Sequence, residues 1–457
     1  MIFKGDFSRI KDISFYIGKI VGYLILKNDE SYGLMVGNGD DNYDINGIIL
    51  LNSNAEELSV EDRGYFSQNL DNFDFELNGK TSKKNLYIGK DNRYMSKDIY
   101  NMLIYGVTSI SKDIGIVKLS NTITPILGYL LKHNSLCEDL YYEKFLNKDL
   151  GISANLVIDC AYSLGSLVLS KLINQHNLKN IKLINNDYKK GNLINYNSGC
   201  KFVINNKKFP NNWNSYNRGC SINGDSTKCI FYYFDDNFKI LDGEYVTVLF
   251  MKFFDSLNLD SKITCYYDSN FSKSLLEFVN RNGICFKSRS KILEDNSDIL
   301  LYFTNDGIVR VVIKKIELLE SKKLNIFSGI NNSALSDGIS NIFSVLYCLN
   351  DLNFGFKDWH NLLNRHNSVS YKFKVNKIGY YVVNEEELEL VRPISLQKEL
   401  DILKEDYKSY CVIKPTDKSM LSIYIESEKY LNIMKKKVTE LLLKYENYLN
   451  SMYTILI

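Results

Sequence analysis

The side chains of Asn223, Asp225 and Thr227 alternate along a short polar stretch and could together bind one hard cation. Gly224 opens a turn there, and the alternation would point three oxygen-bearing side chains toward the same place. Only Asp225 carries a charge, and Mg²⁺ gives up its water reluctantly unless carboxylates or phosphate oxygens replace it. An ordinary Asn-Gly-Asp turn between two strands is the alternative that these residue types favour. Both interpretations stay open on local sequence alone.

The elements that must position this loop follow an α/β rhythm. The apolar and aromatic run Cys229–Phe234 directly after it predicts a buried strand. Before it, we predict a strand from Leu156, a helix reaching about Gln175 and a strand over Ile181–Ile184, which together form a βαβ unit. The turn at Gly165 lies where a phosphate could meet a helix N-terminus, although no full glycine fingerprint supports that site.

The chain is too long for one ordinary core. At about 150 residues per domain, its 457 residues correspond to three or four domains. Three stretches alternate strands and helices, and after Trp359 the pattern changes to one of meandering strands and two helices. We therefore predict an α/β protein with three related α/β domains, at 1–150, 151–258 and 259–368, and a C-terminal α+β domain at 369–457.

Composition and charge narrow the classes of function. The formal net charge is only +2, so nothing indicates a global attraction to nucleic acid or to anionic lipid. No apolar stretch reaches the roughly 20 residues that a membrane span needs, and the first residues do not have the pattern of a signal peptide. The nine cysteines are widely spaced inside mostly apolar runs, which is typical of reduced core residues. We expect a cytoplasmic protein that binds neither nucleic acid nor membrane; any protein partner is unknown.

Several separated segments together resemble one family, the α-D-phosphohexomutases, and within it the phosphoacetylglucosamine mutases. Single matches are short, but their order and spacing run through essentially the whole chain. The resemblance implies a four-domain protein with a central cleft. The segments that carry it are Gly33-Leu-Met-Val36, Asn46-Gly-Ile48, Tyr87-Ile-Gly-Lys-Asp-Asn-Arg93, Asp159-Cys-Ala161, Ser198-Gly-Cys-Lys-Phe202, Ile240-Leu-Asp-Gly-Glu244, Leu301-Tyr-Phe303, Ser336-Asp-Gly-Ile-Ser340, Lys357-Asp-Trp359, Asn364-Arg365 and Lys414-Pro-Thr416.

The resemblance also implies a reaction. Such enzymes interconvert N-acetylglucosamine 6-phosphate and N-acetylglucosamine 1-phosphate, a step towards UDP-N-acetylglucosamine, through a bisphosphorylated sugar. They use a phosphoserine that gives and takes the phosphoryl group, Mg²⁺ that neutralises its oxygens, a sugar-binding loop and a cationic phosphate-binding loop. A phosphorylated amino sugar is therefore the implied ligand, and Mg²⁺ is the implied cofactor.

At the nucleophile loop, the family pattern Thr-Ala-Ser-His-Asn-Pro matches Gly37-Asn-Gly-Asp-Asp-Asn42 without a gap. Gly39 then stands in the place of the serine and Asp40 in the place of the histidine. Glycine has no hydroxyl to phosphorylate, and the nearby aspartates would repel a phosphosugar in a cleft of low dielectric constant. We therefore assign no catalytic residue with this match.

At the metal loop, the family has three aspartates followed by an arginine. Asn223, Asp225, Thr227 and Lys228 stand in those four places, so one carboxylate remains of three. Without the oxygens of a phosphoserine, such a loop would attract Mg²⁺ only weakly. We expect weak or absent Mg²⁺ binding in this chain.

The two remaining loops are also altered. The family's sugar loop Glu-Ala-Asn-Gly-His-Gly matches Thr304-Asn-Asp-Gly-Ile-Val309, where a threonine replaces the carboxylate that would bind sugar hydroxyls. The phosphate loop Arg-Pro-Ser-Gly-Thr-Glu matches Lys414-Pro-Thr-Asp-Lys-Ser419, which keeps cations and a hydroxyl donor. The substrate-binding residues that the resemblance predicts are thus Thr304, Asn305, Asp306, Lys414, Thr416, Lys418, Lys228 and Lys291, with Arg93 at a further cationic position.

Three hypotheses follow from these altered loops. The first is an active mutase that uses another phosphate acceptor. The second is a pseudoenzyme, a non-catalytic family member kept as a phosphosugar-binding or protein-interaction scaffold, and the third is a folded relic without a ligand. We favour the second, because loss of the nucleophile of a covalent catalyst costs several orders of magnitude in rate.

Overall fold

The computed structural model describes residues 7–28, 30–36, 48–51, 53, 84–93, 96–145, 155–213, 217–267, 270–288, 296–331, 336–384, 386–416 and 419–454. The chain forms two compact units. Unit 1 comprises Met1–Leu259 and Asp306–Trp359, and unit 2 comprises Asp260–Asn305 and His360–Ile457. The division into four domains stays a prediction.

The first sheet of unit 1 has four strands in the order β2-β1-β3-β4. The strand β1 pairs in parallel with β3 and antiparallel with β2, and β3 pairs in parallel with β4. All five residues of β1 are buried, as expected where both faces of a sheet are covered. The elements of this region are α1 (Phe7–Asn28), β1 (Tyr32–Val36), β2 (Ile48–Leu51), β3 (Asn85–Lys90), α2 (Ser96–Ile110), β4 (Gly115–Asn121), α3 (Thr124–Lys132) and α4 (Asp139–Glu143).

Helices α1 and α2 cross where two glycines meet. A Cβ atom on Gly18 would lie 2.2 Å from the carbonyl oxygen of Leu103, and one on Gly106 would lie 2.1 Å from the carbonyl oxygen of Phe15. Only glycine permits the two backbones to approach so closely. The crossing closes a core that includes Val21, Leu34, Leu86 and Leu103.

The second sheet of unit 1 carries the predicted metal loop. Its strand order is β6-β5-β7-β8-β9, with β5 parallel to β6 and to β7, and with antiparallel pairs β7–β8 and β8–β9. The predicted βαβ unit and the buried strand after the loop are present. The elements are β5 (Leu156–Asp159), α5 (Gly165–Gln175), β6 (Ile181–Ile184), α6 (Gly199–Asn206), β7 (Arg218–Ile222), β8 (Cys229–Phe234), β9 (Phe238–Leu241) and α7 (Gly243–Ser256).

Among the described residues, unit 2 contains a parallel sheet, a three-stranded antiparallel sheet and a two-stranded antiparallel sheet formed by Val382–Val383 and Leu390–Arg392. Unit 1 also includes the later elements within Asp306–Trp359. In unit 2, the strands β11, β10 and β12 pair in parallel in that order, and β14, β18 and β17 pair antiparallel. The elements of unit 2 are β10 (Ile263–Tyr267), α8 (Lys273–Arg281), β11 (Cys285–Ser288), β12 (Ile299–Phe303), β14 (Asn367–Lys374), β15 (Val382–Val383), β16 (Leu390–Arg392), α12 (Ile394–Asp406), β17 (Ser409–Thr416), β18 (Met420–Ser427) and α13 (Leu431–Thr454). The later elements β13 (Val309–Ile313), α9 (Lys322–Ile330), α10 (Gly338–Asp351) and α11 (Phe356–His360) lie in unit 1, except for the last residue of α11.

One strand prediction in unit 2 is wrong in part. The alternating run Ile378–Val383 predicts a continuous strand, but Ile378–Tyr380 forms a single 3₁₀ turn and only Val382–Val383 is extended. Tyr381 turns inward and is buried, and its hydroxyl donates to Glu446 Oε1 at 2.7 Å. This tertiary hydrogen bond to the last helix outweighs the local preference for a strand.

The predicted α/β class is confirmed, since helices alternate with strands and the first three sheets include parallel strand pairs, whereas the described sheets of the last stretch are antiparallel. In the part of the chain that the structure describes, no helix is both long enough and apolar enough to cross a membrane.

Candidate functional site

The loop Asn223–Lys228 is a turn held by its own side chains. Asp225 Oδ1 accepts hydrogen bonds from the backbone nitrogen of Thr227 at 3.0 Å and from its hydroxyl at 2.7 Å. Asn223 Oδ1 accepts from the backbone nitrogen of Lys228 at 3.0 Å. The structure therefore brings Asn223, Asp225 and Thr227 together as predicted, but their oxygens bind donors within the loop, as in an ordinary Asx turn.

Two neighbouring segments fix this turn in place. The backbone nitrogen at the start of α10, on Gly338, donates to the carbonyl oxygen of Ser226 at 2.8 Å, and the hydroxyl of Ser336 donates to the carbonyl oxygen of Thr227 at 2.7 Å. Ser226 has a φ of +63°, in the left-handed region that costs energy in most residues. At the start of α5, a Cβ atom on Gly165 would lie 2.4 Å from the Ser226 hydroxyl. The backbone of the loop is thus tightly constrained.

Lys228 binds Asp306, a residue of the predicted sugar loop. Its ammonium lies 2.6 Å from Asp306 Oδ2, with 18% of the lysine side chain and 49% of the aspartate side chain exposed. The backbone supports the pair, since the nitrogen of Cys229 donates to the carbonyl oxygen of Gly307 at 3.2 Å. Gly307 has a φ of +98°, which only glycine adopts readily. Two predicted substrate-binding residues therefore neutralise each other.

A buried ion pair that sequence reasoning missed lies beside this loop. Arg93 Nη1 is 3.1 Å from Asp91 Oδ2, and both side chains are almost completely buried. Burial raises the pKa of Asp91 above its ordinary value, Arg93 opposes that rise, and the nearby charge of Asp225 adds to it. A Cβ atom on Gly224 would lie 2.9 Å from Arg93 Nη2, so the guanidinium packs directly against the loop. The Asp-Asn-Arg spacing was the available signal, but it did not reveal this role for Asp91.

The oxygen-bearing side chains of the turn Asn223–Lys228 do not fit the metal site that the family resemblance implies. Asp225 is the only carboxylate in the turn, and the guanidinium of Arg93 adds positive charge at Gly224. Among the described residues, no group of three or more histidine, cysteine or acidic side chains could hold a metal ion. A hard divalent cation normally needs several anionic oxygens to replace its water.

A second buried carboxylate organises the sheet that carries the loop. Asp159, at the end of β5, accepts from the backbone nitrogens of Ala161 at 3.1 Å and Gly199 at 2.7 Å, from the Ser221 hydroxyl at 2.8 Å and from the Asn185 amide at 2.8 Å. Burial raises the pKa of Asp159, and these four donors oppose that rise. Because all four bonds are to the protein's own groups, Asp159 has a structural role.

A third buried charge pair lies at the start of α10. Lys144 Nζ is 3.1 Å from Asp337 Oδ2, and 3% and 1% of the two side chains are exposed. The Tyr141 hydroxyl donates to the same oxygen at 2.8 Å, and the Ser340 backbone nitrogen donates to Asp337 Oδ1 at 2.9 Å. The ammonium also lies 4.1 Å from the centre of the Tyr141 ring and 4.7 Å from that of Phe145. The pair joins the segment after α4 to the helix that supports the loop.

In unit 2, the predicted phosphate loop lies at the end of β17. Lys414 Nζ is 3.3 Å from Glu387 Oε2 and 4.6 Å from the centre of the Tyr267 ring. The hydroxyl of Thr416 donates to the carbonyl oxygen of Met420 at 2.8 Å, across the turn to β18. The predicted cation and hydroxyl donor therefore both have protein partners.

The other predicted residues are only partly described. Thr304 directly follows β12, and the amide of Asn305 donates to the carbonyl oxygen of Asn270 at 2.7 Å. Four predicted positions lie outside the described residues: Gly39 and Asp40 of the nucleophile loop, Lys291, and Lys418 of the phosphate loop.

Comparison with known proteins gives consistent relatives, although no family model matches the chain. It is 26% identical over 415 residues to phosphoacetylglucosamine mutase of Candida albicans, covering 78% of this chain and 75% of the relative. It is 24% identical over 497 aligned positions to phosphoacetylglucosamine mutase of Sus scrofa, covering 94% of this chain and 90% of the relative.

Solved structures show the same fold. The substrate complex of an N-acetylglucosamine-phosphate mutase, described as a member of the α-D-phosphohexomutase superfamily, superposes with a TM-score of 0.82 at 21% identity, over 95% of this chain and 93% of that chain. Aspergillus fumigatus N-acetylphosphoglucosamine mutase, in complex with GlcNAc-6P and magnesium, also gives a TM-score of 0.82, at 18% identity over 95% of this chain and 93% of that chain. These similarities support assignment of the chain to the phosphoacetylglucosamine mutases as a divergent relative, and the solved structures show that it shares their fold.

Proposed function

We propose that this chain is a catalytically impaired member of its family, a pseudoenzyme that does not interconvert N-acetylglucosamine 6-phosphate and N-acetylglucosamine 1-phosphate at the rate of an active mutase. The observation that carries the proposal is the turn at Asn223–Lys228. Its single carboxylate accepts two hydrogen bonds from Thr227, and its lysine is paired with Asp306. A loop that satisfies its own polar groups is not prepared to bind a metal ion and a phosphoryl group.

The alignment at the nucleophile loop supports the same conclusion. Gly39 stands where the family has its serine, so no side chain at that position can accept a phosphoryl group. Mutase chemistry needs the phosphoenzyme, and loss of a nucleophile in a covalent catalyst lowers turnover by several orders of magnitude. We accordingly propose that Mg²⁺ binding is weak or absent, because neither the other two carboxylates of the family's loop nor a phosphoserine is there to replace water around the ion.

A second role, phosphosugar binding without turnover, is favoured by the phosphate-loop position. Lys414 keeps a positive charge there and Thr416 keeps a hydroxyl, both at the end of β17, and a phosphate would replace their present partners, Glu387 and the carbonyl oxygen of Met420. A lysine beside a hydroxyl donor can bind a phosphate monoester without any catalytic machinery. The scaffold proposal thus has a named ligand class, a phosphorylated amino sugar. We place the protein in the cytoplasm, because most of its cysteines are buried free thiols, as is usual in a reducing compartment.

The decisive experiment is a coupled mutase assay on the purified protein. It would contain N-acetylglucosamine 6-phosphate, Mg²⁺ and a glucose 1,6-bisphosphate activator, with an active family mutase as the positive control. We expect activity lower than that of the control by several orders of magnitude. The variant Gly39→Ser should remain impaired, because the metal loop still lacks two carboxylates.

Two results would contradict the proposal. One is robust turnover by the unmodified chain. The other is an intact mass higher by one phosphate group, localised to a residue near positions 37–42, since such a residue would be an alternative acceptor.

A further inference from the structure

Lys414 of unit 2 is enclosed by groups that hold its ammonium in one position. Only 10% of its side chain is exposed, and Nζ lies 3.3 Å from Glu387 Oε2. The faces of two aromatic rings border the ammonium, with the ring centres of Tyr267 and Phe271 at 4.6 and 5.4 Å. A cation in such a setting is partly desolvated and attracts an anion more strongly than one in water.

Glu387 is itself held against the lysine. The residue has a φ of +54°, in the left-handed region that is uncommon for a side chain of this size. Its other carboxylate oxygen accepts from the Ser288 hydroxyl at 2.5 Å. The backbone of a residue other than glycine rarely adopts such a conformation unless the surrounding structure requires it.

The segment around Glu387 supplies that requirement. The side-chain oxygen of Asn384 accepts from the backbone nitrogen of Leu388 at 2.9 Å, and the carbonyl oxygen of Asn384 accepts from the nitrogen of Glu387 at 3.0 Å. The Tyr267 hydroxyl donates to the carbonyl oxygen of Glu386 at 2.6 Å. The tyrosine that borders the lysine therefore also fixes the segment that presents the carboxylate.

From this geometry we infer that Glu387 is a built-in competitor for anions at Lys414 and lowers the affinity of this position for them. The carboxylate takes the place of a phosphate oxygen on the lysine, and a phosphate monoester must displace it or accept its repulsion. This inference rests on the phosphosugar-binding role proposed above. It adds that the affinity of this chain for phosphate is set by a residue outside the loop that resembles the family.

The test compares anion binding by calorimetric titration in five versions of the chain, one of them unmodified. The probes are N-acetylglucosamine 6-phosphate and inorganic phosphate, each used up to millimolar concentration. The variant Glu387→Gln removes the competing charge and keeps the shape of the side chain. Glu389→Gln is the matched control, since it removes the same charge from an exposed position two residues away. The fourth version is Lys414→Ala, and the fifth combines Glu387→Gln with Lys414→Ala.

We expect Glu387→Gln to bind both probes about tenfold or more tightly than the unmodified chain, because it removes the negative charge that competes with the anion for a partly buried cation. Glu389→Gln should bind like the unmodified chain, and the double variant should lose the gain. Circular dichroism and a thermal melt without ligand establish that each variant is folded.

The outcomes separate this inference from the role on which it rests. If Lys414→Ala weakens binding while Glu387→Gln leaves it unchanged, the phosphosugar-binding role stands and the inference fails. If folded Glu387→Gln binds neither probe, the inference fails as well. If binding occurs but is insensitive to Lys414→Ala, the predicted phosphate position itself is wrong. An equal gain in Glu389→Gln would show only a general charge effect and would also overturn the inference.

Discussion

Replacing Asp337 by asparagine should strongly destabilise unit 1, because it leaves the ammonium of Lys144 buried without its counter-ion. That ammonium lies 3.1 Å from the Asp337 carboxylate, with 3% of the lysine side chain exposed. Its other neighbours are the Ser340 hydroxyl and the rings of Tyr141, Phe145 and Tyr129. None of these groups carries the negative charge that would offset the cost of burying a cation.

The magnitude follows from what each substitution leaves behind. Removing one partner of a buried ion pair typically costs about 3 to 5 kcal/mol, and we expect Asp337→Asn to fall in this range. Lys144→Met should cost less, roughly 1 to 3 kcal/mol, because the carboxylate keeps donors from Tyr141 and Ser340. The double variant buries no charge, so it should be more stable than Asp337→Asn alone, with a coupling energy of about 2 kcal/mol.

Tryptophan fluorescence can follow this unfolding selectively. The chain has two tryptophans, Trp213 and Trp359, and both belong to unit 1. Trp359 is fully buried and its indole nitrogen donates to the carbonyl oxygen of Tyr245 at 2.7 Å. Urea unfolding followed by tryptophan fluorescence therefore reports the unfolding of unit 1. The four proteins to compare are the unmodified chain, the two single variants and the double variant. Additive effects, or equal losses in the two single variants, would refute the interpretation of a charged buried pair.

The dependence of stability on pH gives an independent check on the same ion pair. Burial alone would raise the pKa of Asp337, but Lys144 and the donors of Ser340 and Tyr141 together hold it below its ordinary value of 3.8. A carboxyl whose pKa is lowered by folding stabilises the native state above its unfolded pKa and loses that contribution as the pH falls through the folded pKa. The stability difference between the unmodified chain and Asp337→Asn should therefore shrink below about pH 4.

Two further predictions concern the support of the loop and the thiols. Gly338→Ala should destabilise unit 1 by about 1 to 3 kcal/mol in the same urea assay, because its Cβ would lie 2.4 Å from the carbonyl oxygen of Lys228. Gly355→Ala, whose Cβ would make only an ordinary 3.4 Å contact, is the matched control, and equal losses would contradict the proposed close packing. In a thiol titration with a chromogenic disulfide, the exposed Cys137 should react first, since burial raises the pKa of thiols such as Cys160. Cys137→Ser should remove the fast phase, and a fast phase that persists would show that a buried thiol is accessible.

Much of the fold could be predicted from the sequence, because its strands are short, continuous runs of apolar and aromatic residues between polar turns. The strands Ile181–Ile184 and Cys229–Phe234 have the predicted bounds. The segment Ile378–Val383 shows the limit of this signal. Its alternation is strand-like, yet the bond from Tyr381 to Glu446 turns the chain inward.

The sequence by itself determined the residue types at the candidate site. It established that the loop Asn223–Lys228 has a single carboxylate, that position 39 is a glycine and that Lys414 is a cation. That Gly39 stands in the place of the family's serine stays a prediction from the resemblance. These facts need no coordinates, because a missing hydroxyl or carboxylate cannot act in any conformation. The prediction of a weak metal loop depends on them alone.

Only the tertiary structure decided which groups those residues contact. Lys228 pairs with Asp306, Lys144 with Asp337 and Lys414 with Glu387, across 78, 193 and 27 positions of sequence. Local pattern cannot predict such pairs, because a charged side chain has many candidates of opposite charge and folding selects one by burial and geometry. The sequence therefore determined which charged residues are present. The tertiary structure determined that Lys228, Lys144 and Lys414 are each paired with a carboxylate of the same chain.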